Sequence, residues 1–354
     1  MTEPLAAGSI IGILGGGQLG RMLSIAAARL GYLTHIYDPM IAPPAAHVAA
    51  YLTTAAYTDR EALSAFADSV ALVTYEFENI PTEALDILEA HVPVRPGRNA
   101  LKISQDRVDE KDFLASLGQM PAPYAPVDTQ ADLEMALKAI GVPAILKTRR
   151  FGYDGKGQIK IFDQRQVATA MKWLDHRPAV LEGFIEFERE ISVIGARGLD
   201  GAVVCYDPGQ NLHRDGILRT TTVPAEITQS QRQNAIFATG NILNALDYVG
   251  VMGVEFFVTE RGLIVNEIAP RVHNSGHWTQ NGCLIDQFEQ HIRAITGWPL
   301  GDGQRHSDAV MTNLIGHDLD SLTAYASDAI HLYGKAEIRD GRKMGHVNRI
   351  SPKG

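Results

Sequence analysis

Length, composition and charge describe an ordinary globular chain and exclude several classes of protein. The 354 residues are 45% apolar and 21% charged, enough material for two or three domains. A net charge of −9 argues against nucleic acid or an anionic membrane surface as a partner. No apolar run approaches the roughly 18 residues of a membrane span, and no leader segment is recognisable. The two cysteines match neither a disulfide framework nor a zinc site, so we expect a cytoplasmic protein.

The first hundred residues alternate strand and helix patterns. Apolar runs at Ile10–Leu14, Leu33–Tyr37 and Val70–Tyr75 are typical of buried strands, and a helix is predicted to begin near Pro81. Strands that alternate with helices indicate βαβ units and a parallel sheet. This part of the chain is therefore predicted to be α/β.

A glycine-rich turn joins the first strand to the first helix. Gly15-x-Gly17-x-x-Gly20, with Asp38 at the end of the next strand, satisfies the dinucleotide-binding fingerprint. The alternatives are a turn that needs glycine for packing and a site for another phosphate, for which Gln18 is an uncharged donor. The fingerprint would also suit an NAD-dependent oxidoreductase, but that function would not explain the lysine- and glycine-rich loop and the glutamate pair described below.

The pattern of predicted elements changes after residue 120. Pro121–Pro126 is predicted to be a linker, and the strand-like pieces that follow, with a helix over about Gln229–Leu246 and a hairpin over about Val251–Ile268, are typical of an α+β fold. From about Pro299 we expect a small domain of short strands and many turns.

A lysine- and glycine-rich loop between two strands is predicted to be a flap over phosphates. The strand that ends at Lys147 is followed by Gly152-Tyr-Asp-Gly-Lys-Gly157, and a new strand begins at Gln158. A Walker loop would need a different glycine spacing and a following helix. Glycines let backbone N–H groups approach an anion closely, and Lys156 adds positive charge. The alternative is an ordinary hairpin with a basic turn.

Two glutamates face each other across the predicted hairpin. If Glu260-Arg261-Gly262 forms a three-residue loop, Thr259 lies opposite Leu263 and Glu255 lies opposite Glu267. Directly opposed like charges are destabilising unless a cation lies between them. Oxygen ligands favour Mg²⁺ or Mn²⁺, and Asn266 extends the set. A slipped register that turns one glutamate to solvent is the alternative.

These features together resemble the ATP-grasp ligases and, within them, the N5-carboxyaminoimidazole ribonucleotide synthetases. The resemblance runs from about residue 10 to about 350. Its motifs are GGGQLGRML near the start, YEFENIP at 75–81, FGYDGKGQ at 151–158 and NEIAPRVHNSGHWT at 266–279. It implies a preATP-grasp α/β domain over residues 1–105, an ATP-grasp domain over 106–298 with its flap subdomain at about 121–183, and a small C-terminal domain over 299–354.

The resemblance also implies which residues bind ATP and metal. Arg107 and Lys147 are expected on the phosphates and Glu190 on the ribose, with His213 as a further nucleotide contact. Glu255 and Glu267 are expected to carry Mg²⁺. The remaining residues implied for ATP are the flap (Gly152, Tyr153, Asp154, Gly155, Lys156, Gly157, Gln158), the adenine segment (Glu182, Gly183, Phe184, Ile185) and Asn266.

The implied reaction joins bicarbonate to the exocyclic amine of 5-aminoimidazole ribonucleotide and splits ATP to ADP and phosphate through carboxyphosphate. The amine attacks carboxyphosphate or CO₂ released from it. Arg271 is the candidate for holding bicarbonate because its planar fork matches a carboxylate. Asp154 is the candidate base, with Tyr153 beside it, ahead of His273 and His277. Gln18, Asn274, Lys343 and Arg349 are the candidates for binding the ribonucleotide and its phosphate.

The resemblance further suggests a homodimer whose product passes to a separate mutase. The nearest alternatives are another ATP-grasp ligase, similar to formate-dependent glycinamide ribonucleotide transformylase or biotin carboxylase, and a non-catalytic nucleotide-binding regulator.

Overall fold

The computed structural model describes residues 3–152 and 157–354, so Tyr153, Asp154, Gly155 and Lys156 of the predicted flap lie outside the described residues. Within the described residues, no helix is long and apolar enough to cross a membrane.

The N-terminal part is built on a four-stranded parallel sheet with strand order β3-β2-β1-β4. The three strands predicted from the apolar runs are present, and the third helix begins at Thr82, directly after Pro81. The edge strand β3 was not predicted, since three of its four residues are exposed and its pattern is weak. The elements are β1 (Ile10–Leu14), α1 (Gln18–Arg29), β2 (Leu33–Asp38), β3 (Tyr51–Thr54), α2 (Arg60–Asp68), β4 (Leu72–Tyr75), α3 (Thr82–Glu89) and α4 (Arg98–Ser104).

Carboxylates of the chain itself occupy the glycine-rich turn before α1. The amides of Gly17 and Gly20 donate to Glu76, the latter at 2.6 Å, and the amide of Gly16 donates to Asp38 at 2.7 Å. A Cβ on Gly17 would lie 2.5 Å from the Glu76 carboxylate, so glycine is required for this close approach. The amides that would hold a dinucleotide pyrophosphate already have acceptors, in agreement with the rejection of an NAD site.

The flap-bearing part is a second, four-stranded sheet with strand order β5-β8-β6-β7, covered by two helices. The predicted linker is wrong in part, because Tyr124–Val127 pairs with β8 as an edge strand, a position that tolerates Pro126. The flap does join two strands, as predicted. The elements from 107 to 183 are α5 (Arg107–Ser116), β5 (Tyr124–Val127), α6 (Gln130–Ile140), β6 (Ala144–Thr148), β7 (Gln158–Ile161), α7 (Val167–Leu174) and β8 (Ala179–Gly183).

A nine-stranded sheet forms the centre of the molecule, with strand order β14-β13-β9-β11-β12-β15-β17-β16 and with β10 beside β9. Short strands were predicted after Pro299, and only β16, with 4 residues, is short. The other two, β15 and β17, have 9 and 10 residues and extend the central sheet. The elements are β9 (Arg189–Arg197), β10 (Val203–Cys205), β11 (Gly209–Arg214), β12 (Ile217–Val223), α8 (Gln229–Ala245), β13 (Gly250–Thr259), β14 (Gly262–Ala269), α9 (Thr279–Gly282), α10 (Gln287–Thr296), β15 (Ser307–Ile315), β16 (Ala329–Leu332) and β17 (Lys343–Pro352).

Packing of α1 against α10 joins the N-terminal sheet to the central sheet. Their apolar faces share one core cluster, and Arg29 of α1 forms ion pairs with Asp286 at 2.8 Å and Glu289 at 2.6 Å. This contact places the glycine-rich turn at the same cavity as the ends of the central strands.

Candidate active site

The three sheets enclose a cavity of about 740 Å³. Most of the residues predicted for the site from all three parts of the chain line its wall, although they are separated by up to several hundred positions in the sequence. They are Gln18, Arg107, Lys147, Gly152, Gln158, Phe184, Glu190, His213, Glu255, Asn266, Glu267, Arg271, Asn274 and Lys343. Gly157, Glu182, Gly183, Ile185 and Arg349 do not line it.

Glu255 and Glu267 lie directly opposite each other on β13 and β14, as predicted. The loop that leads to this register differs from the prediction, because Thr259 pairs with Gly262 and leaves a two-residue turn. A bulge between Val265 and Glu267 restores the register, and the extra residue, Asn266, also lines the cavity. The side chains of Glu255, Asn266 and Glu267, all of which carry oxygen atoms, therefore line the same part of the cavity.

Burial and the nearby Glu267 disfavour charge on Glu255. Burial, with Glu267 as the next cause, raises the pKa of Glu255 to about 7. The amide Nδ2 of Asn266 approaches Glu255 Oε2 at 3.5 Å. Among the described residues no group of three or more His, Cys, Asp or Glu side chains is arranged to hold a metal. Two carboxylates and an amide are instead the kind of set that holds Mg²⁺ together with phosphate oxygens and water.

Helix α5 contributes further charged side chains next to the pair. Arg107, at its first turn, lies with Nη1 3.4 Å from Glu267 Oε2. Glu110 accepts a hydrogen bond from the amide of Ile268 at 2.7 Å, and burial raises its pKa to about 8. No signal in the sequence marks Glu110, because only the tertiary fold brings α5 against β14.

Lys147 is held by a buried carboxylate. Its Nζ donates to Glu182 Oε2 at 2.8 Å, and Lys111 Nζ lies 3.3 Å from Glu182 Oε1. Burial by itself would raise the pKa of Glu182, but Lys147 and Lys111 outweigh it and lower the pKa to about 2. The carboxylate of Glu182, which the resemblance placed on adenine, is therefore committed to two lysines.

Aromatic side chains form the wall beyond Lys147. Phe187 stacks on Phe257 with ring centroids 4.6 Å apart, and Lys160 Nζ lies 5.7 Å from the centroid of the Phe184 ring. Flat apolar surfaces with a polar rim suit a heterocyclic base. Phe184 was predicted from the sequence, whereas Phe187, Phe257 and Lys160 were not.

Glu190 and His213 form a pair at the same end of the cavity. The Nδ1 of His213 contacts Glu190 Oε2, and although burial lowers the pKa of the imidazole, Glu190 raises it by more. Both side chains line the cavity, so this pair offers polar groups next to the aromatic wall.

Arg271 is oriented by Glu78. The guanidinium donates through Nε and through Nη2, the latter at 3.1 Å from Glu78 Oε1. Burial opposes ionisation of Glu78, but Arg271 outweighs it and lowers the pKa of this carboxyl to about 2. Nearby, burial lowers the pKa of His273 to about 3, and its Nε2 lies 3.6 Å from Glu255 Oε1. The motif YEFENIP contained Glu78, but nothing in its spacing indicated this role.

Three of the four residues predicted for the ribonucleotide lie at the cavity wall. Gln18, Asn274 and Lys343 line it, and both polar side-chain atoms of Asn274 are buried without a hydrogen-bond partner among the described residues. Arg349 does not line the cavity in this structure, and its role toward the ribonucleotide stays a prediction. Its Nε and Nη2 donate to Asp328 at 3.0 and 2.9 Å on the molecular surface, and at ~3.3 Å per strand residue β17 carries it roughly 20 Å from Lys343.

Comparison with known proteins agrees with this architecture. The ribonucleotide synthetase preATP-grasp domain matches residues 9–105, the ATP-grasp domain 112–288 and the phosphoribosylaminoimidazole carboxylase C-terminal domain 309–353. The N5-carboxyaminoimidazole ribonucleotide synthase of Brucella melitensis is 53% identical, over 99% of this chain and 98% of that protein.

Solved structures agree as well. An N5-carboxyaminoimidazole ribonucleotide synthetase in complex with ADP has a TM-score of 0.96 and 39% identity, over 99% of this chain and 94% of that one. The Aspergillus clavatus synthase in complex with ADP and 5-aminoimidazole ribonucleotide has a TM-score of 0.91 and 30% identity, over 98% and 94%. The chain belongs to the N5-carboxyaminoimidazole ribonucleotide synthase family of ATP-grasp enzymes.

Proposed function

We propose that this chain carboxylates the exocyclic amine of 5-aminoimidazole ribonucleotide with bicarbonate, at the expense of ATP, to give N5-carboxyaminoimidazole ribonucleotide, ADP and phosphate in purine biosynthesis. The observation that carries the proposal is the meeting of opposed carboxylates, buried cations and an aromatic wall in one cavity. The family to which the chain belongs supports the same reaction.

ATP occupies the aromatic end of the cavity in this proposal. The base lies against Phe184 and the Phe187–Phe257 stack, and the phosphates extend toward Lys147 and Arg107. Glu182 fixes the ammonium of Lys147 in place before the nucleotide arrives, so little side-chain entropy is lost on binding. Glu190 and His213 serve the ribose.

Mg²⁺ fits between Glu255 and Glu267, with Asn266 as a third oxygen donor, because a cation removes the repulsion that raises the pKa of Glu255. When bound, the ion neutralises charge on the transferring phosphoryl group. The backbone pairing of β13 with β14 holds the two glutamates opposite each other without the ion.

The chemistry begins with bicarbonate, which is a weak electrophile. One of its oxygens attacks the γ-phosphorus, ADP leaves, and carboxyphosphate forms. Arg271, oriented by Glu78, holds the carboxylate end. The ribonucleotide amine then attacks the carbonyl carbon of carboxyphosphate, or of CO₂ released from it, as phosphate departs, and Asp154 takes the amine proton.

The ribonucleotide lies at the other end of the cavity. Its phosphate is bound by Gln18, Asn274 and Lys343, and the unpartnered amide of Asn274 supports this placement. The flap from Gly152 to Gln158, with Tyr153 beside Asp154, closes over the reacting groups in this proposal and excludes water from carboxyphosphate.

The proposal extends to a homodimer in the cytoplasm whose product passes to a separate mutase. Unpaired cysteines suit that compartment, and both are free in the structure.

Phosphate release from Mg·ATP and bicarbonate, with and without 5-aminoimidazole ribonucleotide, tests the function. We expect release that depends on the ribonucleotide and a carboxylated product in equal amount. Release that is indifferent to the ribonucleotide would move the acceptor to another molecule, as in other ATP-grasp ligases. Binding of ATP with no release under any combination would favour a regulatory protein.

A further inference from the structure

Gln287 holds the loop that carries His273 and His277. Its Oε1 accepts from the amide of His273 at 2.9 Å, and its Nε2 donates to the carbonyl of His273 at 2.7 Å and to Nδ1 of His277 at 3.0 Å. Gln287 is fully buried at the start of α10, and its own amide donates to Thr279 at 3.0 Å. The two backbone groups of His273 therefore fix which end of the side-chain amide is oxygen and which is nitrogen.

This orientation determines the tautomer of His277. Because Gln287 donates to Nδ1, that nitrogen must offer its lone pair, and the proton of the neutral ring resides on Nε2. Burial, with His273 as the next cause, holds the pKa of His277 well below its usual range, so the ring is neutral at pH 7.

The surroundings of the ring leave one edge for a ligand. His346 packs against it with ring centroids 4.6 Å apart and Phe288 at 5.4 Å, while the Nδ1 edge is used by Gln287. His277 also lines the cavity, next to Asn274 and Lys343. The edge with Nε2 is the one that none of these contacts uses.

We propose that His277 donates a hydrogen bond through Nε2 to an anionic oxygen of the bound substrates, and that Gln287 is the positioning residue that holds it in the required tautomer. The oxygen belongs either to the phosphate of the ribonucleotide or to the bicarbonate-derived group, which share this chemistry. The identity of these ligands rests on the proposed function.

The tautomer is measured without any turnover. Nitrogen-15 NMR of the histidine side chains, with the His277 signals identified by their loss in His277→Gln, is expected to show protonation at Nε2 and a shift of that proton when inorganic phosphate or the ribonucleotide is added. In Gln287→Glu the carboxylate accepts a proton from Nδ1, so the tautomer is expected to switch. Protonation of wild-type His277 at Nδ1 would overturn the proposal even if the enzyme carboxylates as proposed.

Kinetics of two matched variants locate the acceptor. The amide nitrogen of glutamine reaches the position of Nε2, whereas that of asparagine reaches only the position of Nδ1. His277→Gln is therefore expected to retain most activity, and His277→Asn to lose about 10- to 100-fold in kcat/KM, the range for a hydrogen bond to a charged group. A rise in KM for the ribonucleotide assigns the acceptor to its phosphate, and a rise in KM for bicarbonate assigns it to the carboxylate.

His331→Asn is the control, since His331 belongs to the same histidine stack but bonds to Asn281 at 2.9 Å and does not line the cavity. It is expected to lower the melting temperature without changing either KM. Equal kinetics of His277→Asn and His277→Gln, with both folded and binding ADP, would overturn the proposal. Absence of ribonucleotide-dependent turnover in the wild type would instead contradict the proposed function, and the NMR result would stand by itself.

Discussion

Glu255 and Glu267 lie opposite each other although the hairpin that joins them has a shorter turn than the sequence predicts. The bulge at Asn266 compensates for the missing loop residue and adds an amide to the same face. The two opposed carboxylates repel each other in the free protein, and the proposed Mg²⁺ would relieve that repulsion.

Glu255→Gln is expected to stabilise the metal-free protein and to impair catalysis. The pKa of Glu255 in the folded state, about 7, exceeds its ordinary value of 4.5, so the native state binds more protons between these values. Stability therefore falls as the pH rises from about 4.5 to 7, and the deficit persists above pH 7. Replacement removes it, by roughly 1–3 kcal/mol at pH 8, and lowers phosphate release at least ~100-fold.

Thermal unfolding at pH 5 and pH 8, with and without Mg·ADP, checks this prediction. The variant should unfold at a higher temperature than the wild type at pH 8 and gain less from Mg·ADP. Glu260→Gln, an exposed change in the turn of the same hairpin, is the matched control and should match the wild type. A lower melting temperature for Glu255→Gln at pH 8 would contradict the argument.

Glu182→Gln is expected to destabilise the protein by about 3 kcal/mol at pH 7, because Lys147 and Lys111 lose the buried charge between them. The pKa of Glu182 is lowered to about 2, so its contribution is complete above about pH 4.5 and is lost as the pH falls toward 2. Urea unfolding should show the difference from wild type at pH 7 and a smaller one at pH 3. The exposed Glu186→Gln is the control, and equal effects of the two would argue against the lysine pair.

Lys343→Ala and Arg349→Ala separate the two basic residues predicted for the substrate phosphate. Lys343 lines the cavity, so its loss should raise KM for the ribonucleotide about 10- to 100-fold. Arg349 is engaged with Asp328 on the surface, so its loss should change KM less than about twofold. Steady-state kinetics with the ribonucleotide varied give both values. A large effect of Arg349→Ala would show that the strand places this side chain differently when substrate is bound.

Both Arg271→Lys and Glu78→Gln should disturb the guanidinium of Arg271. The ammonium of lysine lacks the planar fork, so we expect about a 100-fold loss of carboxylation with unchanged ADP affinity. Glu78→Gln removes the charge that orients Arg271, and its loss should be smaller. Because both changes affect one guanidinium, the double variant should lose little more than Arg271→Lys. Additive losses in kcat/KM would mean that Glu78 acts elsewhere.

Asp154→Asn tests the candidate base, which lies outside the described residues. The amide keeps the shape of the side chain but cannot accept the amine proton at neutral pH. We expect loss of carboxylation, measured as ribonucleotide-dependent phosphate release, with ADP affinity within about twofold of the wild type. Unaltered turnover would return the role of base to His273.

Local patterns determined much of this protein. Apolar runs and turn residues located three of the four parallel strands and the flap between two strands. The pairing of Glu255 with Glu267 was predicted with a loop one residue too long, and the bulge at Asn266 compensates for that difference. Most of the site residues implied by the motifs shared with ATP-grasp ligases line the cavity. Each of these patterns is formed by residues that lie close together in the sequence.

Only the tertiary structure decided which charges meet. Glu76 fills the glycine-rich turn and Lys111 shares Glu182 with Lys147, in both cases between elements distant in the chain. Gln287 is only 10 residues from His277, and the fold turns its side-chain amide onto the ring. Lys343 and Arg349 belong to the same strand, β17, yet Lys343 lines the cavity and Arg349 bonds to Asp328 on the surface. The sequence specifies the chemical type of a side chain such as a carboxylate or an imidazole. Its role depends on its contacts and its burial, which only the tertiary structure sets.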